Sequence, residues 1–388
     1  MRKHAQTLLF LFSIIVCLSF YYAVFVHEWV GFFLETTAPG QDFFQIPNGV
    51  YAFLHNGSLT GSLPYGVVPY ISCCGVNSNV YNPLFTLLIG YPLQLLHPWT
   101  AYEVWGIIHF LATLFLVVFF WKKFPHHPYR KLALSFFLLN AYTYYELSKN
   151  QYHFLFNLCT ILFLYYLLKA PNTKKSIIFY FLGLLVKPIG LLWFIPLLIY
   201  RKYRIAVWGV GLYFFVSLPF LLTPIGSYFL HNLLHAMQIP NPSYNIFTLT
   251  RIFPGSWKIL LFIRLIIAVT LLVLTIRKKL PLFTIIFLWI SYELVFYGLS
   301  YNYHYSIIAG MLCLGILFNI LPITKKSLFL CAMNSLPTPL FIFRLAGEGK
   351  LSQIHSSMLT LWSIFWLSCI LVFLVAQKNH SQHYENRI

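Results

Sequence analysis

Acidic side chains are scarce in this chain of 388 residues, with eight Asp and Glu together against 26 Lys and Arg. Only one of the eight is an aspartate, Asp42, in "GQDFFQIP" at residues 40–47. Charged residues of both signs make up 9% of the chain, where a soluble globular protein carries about a quarter. That shortage excludes an ordinary soluble fold. Paired acids of the DxD or ExD kind are missing, so the oxygen-rich ligand set favoured by magnesium or manganese is not offered and no divalent metal is expected. Cysteine chemistry is equally thin. Seven cysteines lie mostly inside apolar segments, Cys73 and Cys74 adjoin each other in a loop, and no CxxC spacing exists for a zinc site. RNP, helix-turn-helix and zinc-finger patterns are absent too, so the net charge of +18 does not point to nucleic acid.

What is abundant is apolar. Hydrophobic residues are 59% of the chain and aromatics 20%, and the mean hydropathy is +0.74. Runs of about twenty apolar residues recur from end to end, as bilayer-spanning helices require. The two-residue alternation of an outer-membrane barrel is missing. The expected fold is therefore an all-α polytopic membrane protein. The N-terminus "MRKHAQTLLFLFSIIVCLSFYYAVFVHEW" is basic and then apolar, without a small-x-small cleavage site after its core. It reads as a retained first helix.

The basic residues are not scattered. Seven groups between apolar segments hold 19 of the 26: Arg2/Lys3, Lys122/Lys123/Arg130/Lys131, Lys169/Lys174/Lys175, Arg201/Lys202/Arg204, Arg277/Lys278/Lys279, Lys325/Lys326 and Lys378/Arg387. Such clusters mark cytoplasmic loops. With all of them inside, helix 1 (about 7–26) leads to a long outer loop, 27–100, and helix 2 (101–121) returns. Helices 131–147 and 151–169 pair around "SKNQ". The stretch 176–200 has only 25 residues for an outward and a return pass, so it must be two short helices broken at Lys187-Pro188. Helices 205–222 and 256–276 flank a second outer loop, 281–298 and 303–320 turn at "SYNYHYS", and 327–343 pairs with 355–376. Segment 81–99 is short and interrupted by prolines, which makes it re-entrant or interfacial. Both termini come out cytoplasmic. Asp42, Glu28, Glu35, Glu103, Glu146, Glu348, Lys149, Lys187, Arg251 and His304 then gather at the outer face, and ionisable groups near lipid mark functional cavities.

"GQDFF", "YNPLFTLLIGYPL", "KNQYHFLFNLCTILFLYYLL", "GLLVKPIGLLWFIPLLIYRKYR", "NPSYNIFTLTRIF" and "YNYHYSIIAGM" follow one another in this order. Together they resemble the GT-C glycosyltransferases, especially the polyprenyl-phosphate-mannose-dependent family, glycosyltransferase family 87. The resemblance covers roughly residues 1–320 of a single integral membrane domain, with 321–388 a C-terminal helix pair and tail. Asn150-Gln151 stands where the family has Gly-Gln. The resemblance implies a bundle of about ten to twelve transmembrane helices. Compact loops and the lack of an obvious organelle signal suit a bacterial inner membrane with the active site on the periplasmic face, and an ER membrane has the same geometry. The implied reaction moves a sugar, mannose by the resemblance, from a polyprenyl-phosphate donor to a glycolipid or glycan hydroxyl with inversion. No cofactor is implied beyond that donor substrate.

By the resemblance Asp42 is the base; read from the residues alone it is also a loop aspartate capping "FFQIP", and Glu28 or Glu35 could replace it. Cations must neutralise the leaving phosphate. Lys187 is the first candidate, against a snorkelling lysine. Arg251 is the second, against an interfacial anchor, and Arg344 and Lys350 are weaker. His304 is either a phosphate or proton-transfer residue or a member of the aromatic belt. Gln151, Tyr244 and Tyr301 are sugar or lipid contacts, and Glu146 reads as an ion-pair partner of Lys149 three residues on. Two rivals stand beside transfer. One is a flippase or transporter of a lipid-linked saccharide, although only one helix break is found and no inverted counterpart. The other is a lipid-linked oligosaccharide polymerase or ligase, for which outer arginines are few.

Overall fold

The computed structural model describes residues 3–26, 43–56, 81–149, 151–169, 173–223, 226–227, 229–231, 245–296, 302–335 and 352–377. Every element among them is helical. In chain order these are α1 (Lys3–Val26), α2 (Gln45–Asn56), α3 (Pro83–Gln94), α4 (Pro98–Lys123), α5 (Arg130–Leu138), α6 (Ala141–Lys149), α7 (His153–Lys169) and α8 (Thr173–Val186). A 3-10 turn, Pro188–Trp193, leads into α9 (Phe194–Ile199) and α10 (Tyr203–Leu221). After another, Ile246–Thr248, come α11 (Leu249–Ile252), α12 (Trp257–Arg277) and α13 (Leu282–Phe296). The third, Asn302–Tyr305, opens α14 (Ser306–Leu317), followed by α15 (Lys325–Ser335) and α16 (Ser352–Ala376).

Four stretches are long and apolar enough to cross a bilayer: Lys3–Tyr22, Pro98–Lys123, Tyr203–Leu221 and Trp257–Arg277. They are also the ones that leave large apolar side chains uncovered. Phe12 and Ile15 on α1, Leu111 and Phe115 on α4, Trp208 and Phe215 on α10, and Phe262 and Leu265 on α12 are all exposed. In water such faces would drive association, whereas in lipid they are the solvated side. Shorter helices fill the interior. All twelve residues of α14 are buried, and α7 and α13 are buried over most of their length.

Close packing in the centre depends on missing side chains. A Cβ on Gly310 of α14 would collide with Ile161 of α7, and one on Gly209 of α10 would collide with the ring of Tyr180 on α8. Small residues at these crossings let the backbones approach, the usual device of helix packing in lipid.

Two breaks match the sequence reading and one was missed. α8 ends at Val186, and Lys187 is extended (φ −141°, ψ 122°) before the 3-10 turn that starts at Pro188. That turn lies back along α8, where the Tyr180 hydroxyl donates to the Gly190 carbonyl at 3.0 Å. Segment 81–99 holds α3, which has only twelve residues, about 18 Å at 1.5 Å per residue, well short of a bilayer core of about 30 Å. α3 is capped by the Asn82 side chain accepting from Leu84 N at 2.9 Å and packs on α2. The missed break divides the expected helix 131–147 into α5 and α6. There the buried Asn140 accepts from Tyr142 N and Thr143 N at 3.0 and 3.1 Å, which makes it the cap of α6.

Candidate functional site

The helix breaks at Lys187, whose N–H still donates to the Gly183 carbonyl at 2.9 Å, and the turn there aims its side chain toward the start of α14. Lys187 Nζ lies 2.7 Å from His304 Nε2. Lysine has donors only when charged, so the ammonium donates and the ring nitrogen accepts. His304 is buried in the 3-10 turn before α14, and its ring meets that of His153, the first residue of α7, with centroids 4.4 Å apart. Lys187 also stands over the Tyr81 ring at 5.2 Å, a cation–π geometry. The Tyr81 hydroxyl donates to Gln151 Oε1 at 2.9 Å. Residues 81, 151, 187 and 304, remote in sequence, are thus joined by direct contacts.

The segment leading into α2 enters this cluster through Phe43. Phe43 is fully buried and stacks on Tyr152 with centroids 5.7 Å apart at 8°. The Tyr152 hydroxyl donates to the Phe43 carbonyl at 3.0 Å. Tyr152 follows Gln151 directly, and Tyr81 packs edge-on against it at 5.7 Å. One face of the Lys187 cluster is therefore built from α7's first turn and the residue that follows Asp42 in the chain.

Behind His304 lies a second polar group. The buried carboxylate of Glu146 on α6 accepts at Oε2 from Ser306 Oγ at 2.6 Å and from Asn157 Nδ2 at 3.3 Å. Asn157 Nδ2 also donates to Ser306 Oγ at 2.7 Å. The turn between α6 and α7 is closed by Gln151 N donating to the Glu146 carbonyl at 3.2 Å. The side chain of Lys149, expected as the partner of Glu146, lies outside the described residues.

Of the seven site residues read from the sequence, Lys187, His304 and Gln151 are brought together. Arg251 falls in α11, whose preceding 3-10 turn packs on α13 and α16, and of its side chain nothing is described. Asp42, Tyr244 and Tyr301 lie outside the described residues. Sequence reasoning missed His153, Tyr81, Asn157 and Ser306. The signal for Tyr81 and His153 was present, since "YNPLF" and "NQYHF" were singled out as motifs while their aromatic and imidazole side chains were passed over. Among the described residues no group of three or more His, Cys, Asp and Glu could hold a metal ion.

A helical chain with four helices long and apolar enough to span a bilayer, apolar faces turned outward and a buried polar cluster within, has the build of a membrane protein. No family model matches the chain, and no curated protein matches it.

Proposed function

We propose that this protein is a membrane glycosyltransferase of the GT-C type that takes a sugar, mannose in our reading, from a polyprenyl-phosphate donor. The observation that carries the reading is the contact of Lys187 with His304, Tyr81 and, through Tyr81, Gln151. Lys187 and His304, read as donor-phosphate residues, and Gln151, read as a sugar or lipid contact, come from separate motifs and meet in one cluster, next to the residue that follows Asp42. A half-buried ammonium beside aromatic rings suits the junction of a lipid phosphate and a sugar, because the cation meets the phosphate and the ring faces meet the sugar.

In this mechanism the Asp42 carboxylate takes the proton of the acceptor hydroxyl. The acceptor oxygen bonds to the anomeric carbon from the face opposite the phosphate. The bond from that carbon to the phosphate oxygen breaks, and its electron pair leaves with the polyprenyl phosphate. Lys187 and His304 face the negative charge that grows there, with Arg251 a further cation for the same phosphate. Gln151, Tyr244 and Tyr301 contact sugar or lipid. The partners are a lipid-linked donor, a glycolipid or glycan acceptor and the surrounding lipid, at the outer face of a bacterial inner membrane.

The test is transfer from radiolabelled polyprenyl-phosphate-mannose to extracted host lipids, using membranes with wild-type protein or Asp42→Asn. Transfer that disappears in a normally expressed Asp42→Asn supports the reading. Equal transfer by both removes Asp42 from its role. No transfer with this donor or with its glucose and arabinose counterparts moves the reading to a flippase.

A further inference from the structure

Three lysines meet one aromatic cluster at the end of α7 opposite His153. Lys123, the last residue of α4, holds its ammonium 5.8 Å from the centre of the Phe119 ring. Lys169, the last residue of α7, stands 5.6 Å from Tyr165, and Lys175, in the first turn of α8, 5.1 Å from Tyr166. The rings pack on one another, with centroids 4.8 Å apart for Phe119 and Tyr165, 5.1 Å for Tyr165 and Tyr166, and 6.3 Å for Phe119 and Tyr166. Contact with a ring face positions an ammonium without neutralising it. All three lysines are exposed. The stretches that supply them, 104–145 and 147–292, contain no Asp or Glu. One turn deeper on α4, the exposed Phe115 stacks on Phe119 at 5.8 Å, and Val118 is exposed beside it. The patch is thus cationic at its end and apolar behind.

We propose that this patch binds an anionic phospholipid of the cytoplasmic leaflet, its phosphate held by Lys123, Lys169 and Lys175 and an acyl chain lying on Phe115 and Val118. The basic clusters put this end of the molecule inside. Topology alone asks only that basic residues occupy inner loops. It does not ask that ammonium groups from three helices gather on adjoining rings. Like charges held so close repel, and a phosphate among them relieves that repulsion where a neutral headgroup does not. The site is separate from the Lys187 cluster and stands whether or not the sugar-donor reading does.

The experiment titrates the full-length protein in detergent with phosphatidylglycerol and reads the Kd of the first bound lipid by native mass spectrometry, with phosphatidylcholine as the neutral reference. Wild type binds phosphatidylglycerol on the order of a hundredfold more tightly than phosphatidylcholine, about fivefold for each lysine. Each of Lys123→Gln, Lys169→Gln and Lys175→Gln loses about fivefold, and the triple variant falls to the phosphatidylcholine level. The control Arg277→Gln/Lys278→Gln/Lys279→Gln, which removes as many charges at the end of α12, stays near wild type. Equal affinity of wild type for the two lipids overturns the proposal. So does an equal loss in both triple variants, which reduces the effect to diffuse surface charge. Undecaprenyl phosphate bound through these lysines in preference to phosphatidylglycerol overturns it as well and gives the site to the polyprenyl carrier. Should the triple lysine variant fail to fold, the single variants decide, and wild-type affinity in all three overturns the site.

Discussion

Lys187 illustrates how one residue can be both a backbone device and a chemical group. Proline at 188 disfavours helix at the residue before it, so Lys187 is extended and its ammonium reaches His304 and Tyr81. Replacing it with Ala should lower transfer on the order of a hundredfold, the loss seen when one donor to developing charge is removed. Lys187→Arg keeps the charge but not the point geometry and should recover part of it. Steady-state transfer kinetics with the polyprenyl-phosphate-sugar donor check both, and wild-type rates in Lys187→Ala would sink the assignment. His127 makes a smaller point at the same scale. It lies in the turn between α4 and α5, with Nε2 3.2 Å from Asn319 Oδ1. Burial holds its pKa below the ordinary histidine value, and the bond to Asn319 opposes that only in part. A depressed folded pKa means that the stability present above the unfolded value is lost as pH falls through it toward the folded one. Thermal unfolding of the purified protein should therefore ease below about pH 6.5, and His127→Gln should flatten part of that slope.

Elements here are shortened and broken at positions that carry a local cause. Asn140 caps α6 from a fully buried site, so Asn140→Ala should destabilise by about 1 kcal/mol, read as a lower unfolding temperature in detergent. Gly310 sits where α14 meets α7, and any Cβ there meets Ile161. Gly310→Val should cost roughly 1–3 kcal/mol or more through overpacking and, because α14 begins two residues after His304, should weaken donor binding as well. A Gly310→Val protein with wild-type stability would show that the two helices can separate without consequence. Gly90 on α3 behaves in the same way toward α2, where an added Cβ would stand 2.6 Å from Val50 Cγ2 and 2.9 Å from Ile46 Cγ2.

For the whole molecule the charges make the strongest statement. Lys122 and Lys123 end α4, where cations also suit the helix dipole, while His97 lies just before its first turn. If α4 crosses the bilayer with the basic clusters inside, a cysteine placed at 123 in a background lacking exposed thiols should react only from the cytoplasmic side. One placed at 97 should react from the outside. Labelling of both from one side would mean that α4 does not cross. Much of the architecture was legible beforehand, because a helix that must face lipid advertises itself by length and uniform apolarity. The four helices long and apolar enough to span a bilayer, the short α3 and the break at Lys187 all follow from such local signals. The Asn140 break did not, since a single capping asparagine inside an apolar run looks the same as a tolerated polar residue.

What the sequence determined by itself is the helical membrane class, through the scarcity of charge and the repeated apolar runs, and a short set of ionisable residues too costly to sit in lipid without a reason. What only the tertiary structure decided is which of them meet. Lys187 touches His304 and Tyr81, Gln151 takes the Tyr81 hydroxyl, and Glu146 turns to Ser306 and Asn157. The reason is physical. Apolar patterning reports each helix's own exposure to lipid, but nearly uniform apolarity carries no register, so neighbours are set by the few small and polar residues where helices cross.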